Sequence, residues 1–172
     1  MCPMTDIAVR NLSEQDWQDY RETRLAALRE SPEAFVATLE QEQDYPEERW
    51  RDRMNRARRL LAESDGAAVG VVSIGVLDDA ENTAELFGLW VDPNWRGRGV
   101  AAKLVTAGAA EAAQDGFGQL AYWVGTDNGR GVAFASGFGF RPTGRRRPMR
   151  VQNGDGDEEE IAMVLALGED RA

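Results

Sequence analysis

The residues of this chain best placed for chemistry stand together in Leu89-Trp90-Val91-Asp92-Pro93-Asn94-Trp95-Arg96-Gly97-Arg98-Gly99-Val100-Ala101-Ala102. An apolar run reads as a strand, Asp92-Pro93-Asn94 ends it, and the alanine-rich stretch from Val100 to Ala113 reads as a helix. At a helix start the first backbone N–H groups lack intrahelical partners and point outward beside the positive end of the helix dipole. Such a site takes phosphate or pyrophosphate. Gly97 and Gly99 remove side chains that would obstruct a close approach, and Arg96 and Arg98 add cationic donors. A glycine-rich turn of purely structural purpose has the same appearance. The Gly-Lys-Ser/Thr ending of the nucleoside-triphosphate loop is absent. The dinucleotide fingerprint also fails: Ala102 stands at its third position, but the first βαβ unit is missing.

What is absent narrows the chemistry further. The chain has 0 histidines and 1 cysteine, Cys2. Ser-His-Asp and Cys-His nucleophiles are therefore excluded, and so are zinc sites of the usual kind. Any general base must be Asp, Glu, Tyr, Lys, Cys or water. A net charge of -10 argues against a nucleic-acid partner and favours a cationic acceptor such as an amine, while also serving solubility. The length of 172 residues, with 42% hydrophobic and 29% charged, suits one globular domain over 1–172. No apolar run approaches the roughly 18 residues that span a bilayer. Met1-Cys2-Pro3-Met4-Thr5-Asp6 does not read as a secretory signal, and a lone cysteine suits a reducing compartment, so the expected location is cytoplasmic.

The elements that must position the loop follow from periodicity. Ile7 to Arg10 reads as a short strand, and Ser13 with Asp16 forms a capping box in which Asp replaces Glu or Gln. From Glu14 to Arg29, Trp17, Tyr20, Arg24-Leu25 and Leu28 recur at helical spacing. Ser31-Pro32 interrupts that helix, Ala34 to Tyr45 is loop or short helix, and Pro46 suits the first turn of a helix through Ala57. Strands Arg59 to Glu63 and Ala67 to Val76 flank Ser64-Asp65-Gly66, a hairpin signal. A turn over 78–82 leads to a strand from Thr83 to Val91. Beyond the alanine-rich helix come a strand from Gln119 to Gly125 and a short helix from Gly129 to Ser136, capped by Asn128. A strand from Phe140, a polar turn over 152–157 and a last strand from Ile161 to Leu167 complete the chain. The order βααβββαβαββ is that of an α/β layer structure with a mixed sheet.

Two of these segments together resemble the GNAT superfamily of N-acetyltransferases. Its signature Gln/Arg-x-x-Gly-x-Gly/Ala is matched by Arg96-x-x-Gly99-x-Ala101, and its preceding Leu-x-Val-x-Pro by Leu89, Val91 and Pro93. Its second segment, Asn-x-x-Ala-x-x-x-Tyr-x-x-x-Gly-Phe, has counterparts in Asn128, Gly139 and Phe140. The element order fits along nearly the whole chain. The resemblance implies a mostly antiparallel seven-stranded sheet flanked by helices and splayed between its fourth and fifth strands, here Glu85 to Val91 and Gln119 to Val124. It also implies acetyl-CoA as cosubstrate, with no metal. The pantetheine arm would lie in the gap near Leu89 and Val91. The pyrophosphate would sit on the amides of Arg98, Gly99, Val100, Ala101 and Ala102, within a loop that includes Arg96 and Gly97. Asn128 would contact the arm from the other side, in addition to capping its helix. The implied acceptor is a small-molecule or peptide amine, without nucleic acid or membrane and with homodimer formation open.

Acylating an amine requires its neutral form, although an alkyl ammonium has a pKa of about 10.4. A base, directly or through water, must take a proton as the amine attacks the thioester, and backbone amides at a bulge in the splayed strand would hold the oxyanion. Glu85 stands where some relatives carry a catalytic glutamate; a solvent-facing charge at a strand start is the competing reading. Ala135 replaces the tyrosine that often protonates the departing thiolate. That departure leaves a non-catalytic acyl-CoA-binding or sensing domain as the rival to an enzyme. Trp90 and Trp123, on the splayed strands, are core residues first and acceptor-cleft residues second. Arg145-Arg146-Arg147, with Arg150, reads first as a solvated loop face and second as a contact for an acidic substrate.

Overall fold

The computed structural model describes residues 6–32, 35, 37–77, 80–148 and 158–167. Its elements are β1 (Ala8–Asn11), α1 (Trp17–Glu30), α2 (Leu39–Gln43), α3 (Glu47–Arg56), β2 (Arg58–Ser64), β3 (Ala67–Val76) and β4 (Thr83–Val91). There follow α4 (Val100–Gln114), β5 (Gln119–Gly125), α5 (Gly129–Phe138), β6 (Arg141–Pro148) and β7 (Glu159–Ala166). The strands form one 7-stranded sheet in the order β1-β2-β3-β4-β5-β7-β6. The β4–β5 pair is parallel and the other pairs are antiparallel. A parallel pair needs a crossover connection, and α4 supplies it.

The two faces of the sheet carry separate cores, which explains why β2 and β3 read as continuous apolar runs. Leu60, Ala62, Val72, Ile74, Ala84, Leu86, Leu120 and Val124 pack with Val100, Leu104, Val105, Ala109 and Ala112 of α4. Their alternating neighbours Leu61 and Val71 pack instead with Tyr20, Leu25 and Leu28 of α1 and with Trp50 and Met54 of α3. Trp50 is completely buried, with the Tyr20 ring edge-on at 6.1 Å.

Local signals account for most element starts. The Ser13 N–H donates to the Asp16 carboxylate at 2.8 Å, so the Asp version of the capping box operates. A second box opens α2: Thr38 N–H donates to Gln41 Oε1 at 3.0 Å and Gln41 N–H to Thr38 Oγ1 at 3.2 Å. Pro46 sits one position earlier than expected, as the N-cap of α3 rather than in its first turn. Helix α5 runs to Phe138, two residues past Ser136, and β7 begins at Glu159 rather than Ile161. The expected turn over 152–157 and Arg150 lie outside the described residues.

Candidate active site

The site begins where two strands part. The parallel β4–β5 register runs from Thr83↔Gln119 to Leu86↔Tyr122 and stops there, although β4 continues to Val91 and β5 to Gly125. The cause lies in β4. Ser73↔Phe87 is followed by Val71↔Trp90, so three steps along β4 oppose two along β3. This is a bulge, and its residue Gly88 has φ +64, a conformation that costs glycine least. Meanwhile β5 stays paired with β7 as far as Gly125↔Glu160, and a gap opens between β4 and β5. The Asp92 N–H bonds Val69 on β3 at 2.9 Å. By alternation, Val91 and Leu89 turn their peptide groups to the opposite edge, toward the gap. The Val91 carbonyl there accepts from Arg96 Nε at 3.0 Å.

The glycine-rich loop closes one end of this gap. The Asp92 carboxylate accepts from the Asn94 N–H at 2.9 Å, fixing a short 3₁₀ turn over Pro93–Trp95. Gly99, with φ +84, is the N-cap of α4. A Cβ at Gly97 or Gly99 would meet nothing within 4 Å, so backbone conformation rather than crowding selects glycine there. The first bond of α4 runs from Lys103 N–H to Gly99 C=O at 3.1 Å. The preceding amides, Gly99, Val100, Ala101 and Ala102, are those a helix start leaves without intrahelical acceptors. Val100 offers only its amide, since its side chain is buried in the core. The two arginines differ. Arg98 lies over the Trp95 ring at 5.0 Å. Arg96 is drawn back to α1, where its Nη2 meets Glu30 Oε1 at 2.9 Å. Glu30 also accepts from Ser31 Oγ and, at 3.2 Å, from Trp90 Nε1. Those bonds, from Ser31 first, then Trp90 and the Arg96 guanidinium, hold its carboxyl below the usual range. Asn128 caps α5, its Oδ1 accepting from the Gly131 N–H at 2.9 Å.

On the sheet face opposite α4, Glu85 stands between Gly75 of β3 and Ala121 of β5. Its side chain is only 15% exposed, with Arg147 Nη2 at 3.8 Å. Arg147 also bonds Glu160 and lies over the Trp123 ring at 3.9 Å. Trp123 Nε1 is buried without a hydrogen-bond partner. The arginine run is therefore strand β6 rather than a solvated loop: Arg145 and Arg147 cover Trp123, and Arg146 faces Glu159 at 3.9 Å. Trp90 is a core residue on the α1 face. Ala135 is fully buried, in contact with the α4-side core. Tyr122, at the last β4–β5 pair, has its phenol pKa pushed up by burial and meets the Phe140 ring at 6.1 Å.

Sequence reasoning missed one feature beside the bulge. A cavity of about 80 Å³ reaches Phe87 and Gly88 and is lined by Arg24, Arg53 and Arg59 from α1, α3 and β2. Its available signal was charge at inward-facing positions, such as Arg59 just before Leu60-Leu61-Ala62.

The acetyltransferase (GNAT) family profile matches residues 12–140. The chain belongs to the GNAT family of acetyltransferases. It is 26% identical over 137 residues to an uncharacterised N-acetyltransferase of Methanocaldococcus jannaschii, an alignment covering 77% of this chain and 59% of that protein. Among solved structures it resembles Salmonella typhimurium yncA, solved with its cofactor acetyl-CoA. The TM-score is 0.73 at 21% identity, and 96% of each chain is covered. A GNAT-family acetyltransferase of Streptococcus pneumoniae also gives 0.73, at 19% identity, covering 94% of this chain and 99% of that one. A ribosomal-protein-alanine N-acetyltransferase of Brucella melitensis gives 0.70 at 22%, covering 92% and 99%. The GNAT fold is thus shared, with its parallel β4–β5 pair and helices on both faces. Among the described residues no helix is long and apolar enough to cross a membrane, and no group of three or more His, Cys, Asp or Glu could hold a metal ion.

Proposed function

We propose that this chain is a cytoplasmic enzyme of one domain that moves an acetyl group from acetyl-CoA to an amine. The observation that carries this reading is the parting of β4 from β5 beside the unsatisfied amides of the α4 start. The gap would take the pantetheine arm against Leu89 and Val91, with the Val91 N–H free of the bond that Arg96 makes to its carbonyl. The pyrophosphate would lie on the amides of Arg98, Gly99, Val100, Ala101 and Ala102, with Gly97 leaving room for its approach and helix dipole and N–H groups acting together. Arg96 would act by holding the loop to Glu30, and Arg98 by its charge. Asn128, at the start of α5, would meet the arm from the far side.

In the reaction the amine nitrogen bonds the thioester carbon, and the C–S bond breaks with its electron pair on sulfur. Glu85, directly or through water, accepts the amine proton, and the thiolate leaves to be protonated by solvent. A thiol pKa of about 8.5 makes that thiolate a tolerable leaving group without the missing tyrosine. Amides at the Gly88 bulge would stabilise the oxyanion. Thiol release from acetyl-CoA across a panel of amines and peptides tests the proposal. Tight acetyl-CoA binding with no release from any acceptor would favour a sensing domain instead.

A further inference from the structure

We propose that the arginine-lined cavity beside the bulge binds the carboxylate of the acceptor, so that the acceptor is an amino acid or a similar small amine bearing a carboxylate. This rests on the acetyl-transfer reading above.

The key residue is Arg59, which is 5% exposed. Its Nε and Nη2 donate to the Arg53 carbonyl at 3.2 and 2.9 Å, and its Nη1 donates to Ser73 Oγ at 2.7 Å. All of these partners are neutral, and no carboxylate among the described residues lies within ion-pair distance of it. The rings of Tyr20 and Phe87, 5.0 and 5.7 Å from the guanidinium carbon, soften the burial without neutralising the charge. A guanidinium has five N–H donors, so two remain for an incoming anion.

The neighbouring charges reinforce this. Glu42 is 2% exposed, and both its oxygens are committed. Arg24 Nε and Nη2 bond them at 3.0 Å each, and Arg53 Nη1 bonds Oε1 at 2.9 Å. Two guanidiniums therefore share one carboxylate, the third, Arg59, has none, and no Asp or Glu lines the cavity. In a chain of net charge -10 this is a local reversal of sign. An uncompensated buried cation is costly, and a bound anion would relieve that cost. The volume of about 80 Å³ is well above the roughly 10–15 Å³ that one water needs, which leaves room for a carboxylate head. The cavity also ends at Gly88, in the bulge from which β4 and β5 diverge. An anion seated there would leave an amine a few bonds away at the gap. The transfer itself is unchanged: a new N–C bond, a broken C–S bond, and the amine proton to Glu85 or water.

The test compares glycine, β-alanine, L-alanine, L-phenylalanine and L-glutamate with their primary amides by thiol release, at matched concentrations of free amine. At least one pair should favour the carboxylate by tenfold or more in kcat/KM, chiefly through KM. Arg59→Met should erase that preference while leaving the acetyl-CoA Kd unchanged. Turnover indifferent to the carboxylate, or a preference surviving in Arg59→Met, would overturn the inference and leave acetyl transfer standing. A second measurement on the unaltered chain needs no variant: calorimetry should show N-acetyl-L-alanine binding at least tenfold tighter than its amide, and equal binding would overturn the inference too. No thiol release from any amine, with that carboxylate binding intact, would instead sink the acetyl-transfer reading.

Discussion

Glu85 projects from the face of β4 opposite α4, two residues before Phe87, with Arg147 at 3.8 Å. If it takes the amine proton, Glu85→Gln should lower turnover by roughly 10²- to 10⁴-fold without altering acetyl-CoA affinity. The deficit should shrink at high pH, where free amine is abundant, and a pH series of initial rates checks both points. Ala135→Tyr has a different expected outcome. Ala135 is 0% exposed, so a tyrosine there must displace its core neighbours. The variant should lose roughly 1–3 kcal/mol and gain no rate, as melting and turnover measured together would show. Some of this was readable in advance. Asn128 announced a helix cap by its type and place, whereas Glu85 was picked out only by its match to a glutamate position of the family, and its burial was not readable from the sequence. Arg59 did not stand out, because one arginine at a strand start reads as surface until the fold shows which way it points.

At the scale of elements, the start of α4 is the part most exposed to test. Gly99→Glu would place a β-carbon at φ +84 and a negative charge beside the amides proposed for pyrophosphate. Acetyl-CoA binding by calorimetry should fall at least tenfold, about 1.4 kcal/mol. Gly99→Ala, as a control, should carry the backbone strain with a much smaller loss of affinity. The α1–α2–α3 layer depends on Glu42, which joins Arg24 of α1 to Arg53 of α3. Glu42→Gln should destabilise by at most roughly 3–5 kcal/mol in denaturant titration, because two half-buried guanidiniums lose their counter-ion. Strands β3, β4 and β5 were legible to the residue, since apolar runs bounded by turn residues leave little choice. Helix α2 was not, because a five-residue helix has too few positions to show a period. A bulge in the splayed strand was expected from the family resemblance, but its place at Gly88 was not, because that depends on register against β3 rather than on β4 alone.

For the molecule as a whole, acid should be the destabilising direction. Burial alone would raise the Glu42 carboxyl, but hydrogen bonds from Arg24 and Arg53 outweigh it and leave the pKa below its ordinary 4.5. Asp115, bonded by Arg58, and Asp16, bonded by the Ser13 backbone N–H, are lowered as well. Carboxyls lowered by folding stabilise fully above their unfolded values and lose that contribution as pH falls through their folded ones. Melting temperature should therefore hold near neutrality and drop below about pH 4.5, and a scan across that range measures it. A final consequence concerns the rims of the sheet. β1 offers only four residues for pairing, whereas β6, at the opposite rim, is eight residues long. That longer rim carries Pro142 and Pro148, which have no N–H to donate, and three consecutive arginines that repel a like strand. Edge-to-edge pairing of one copy's sheet with another's along the β6 rim is thereby discouraged.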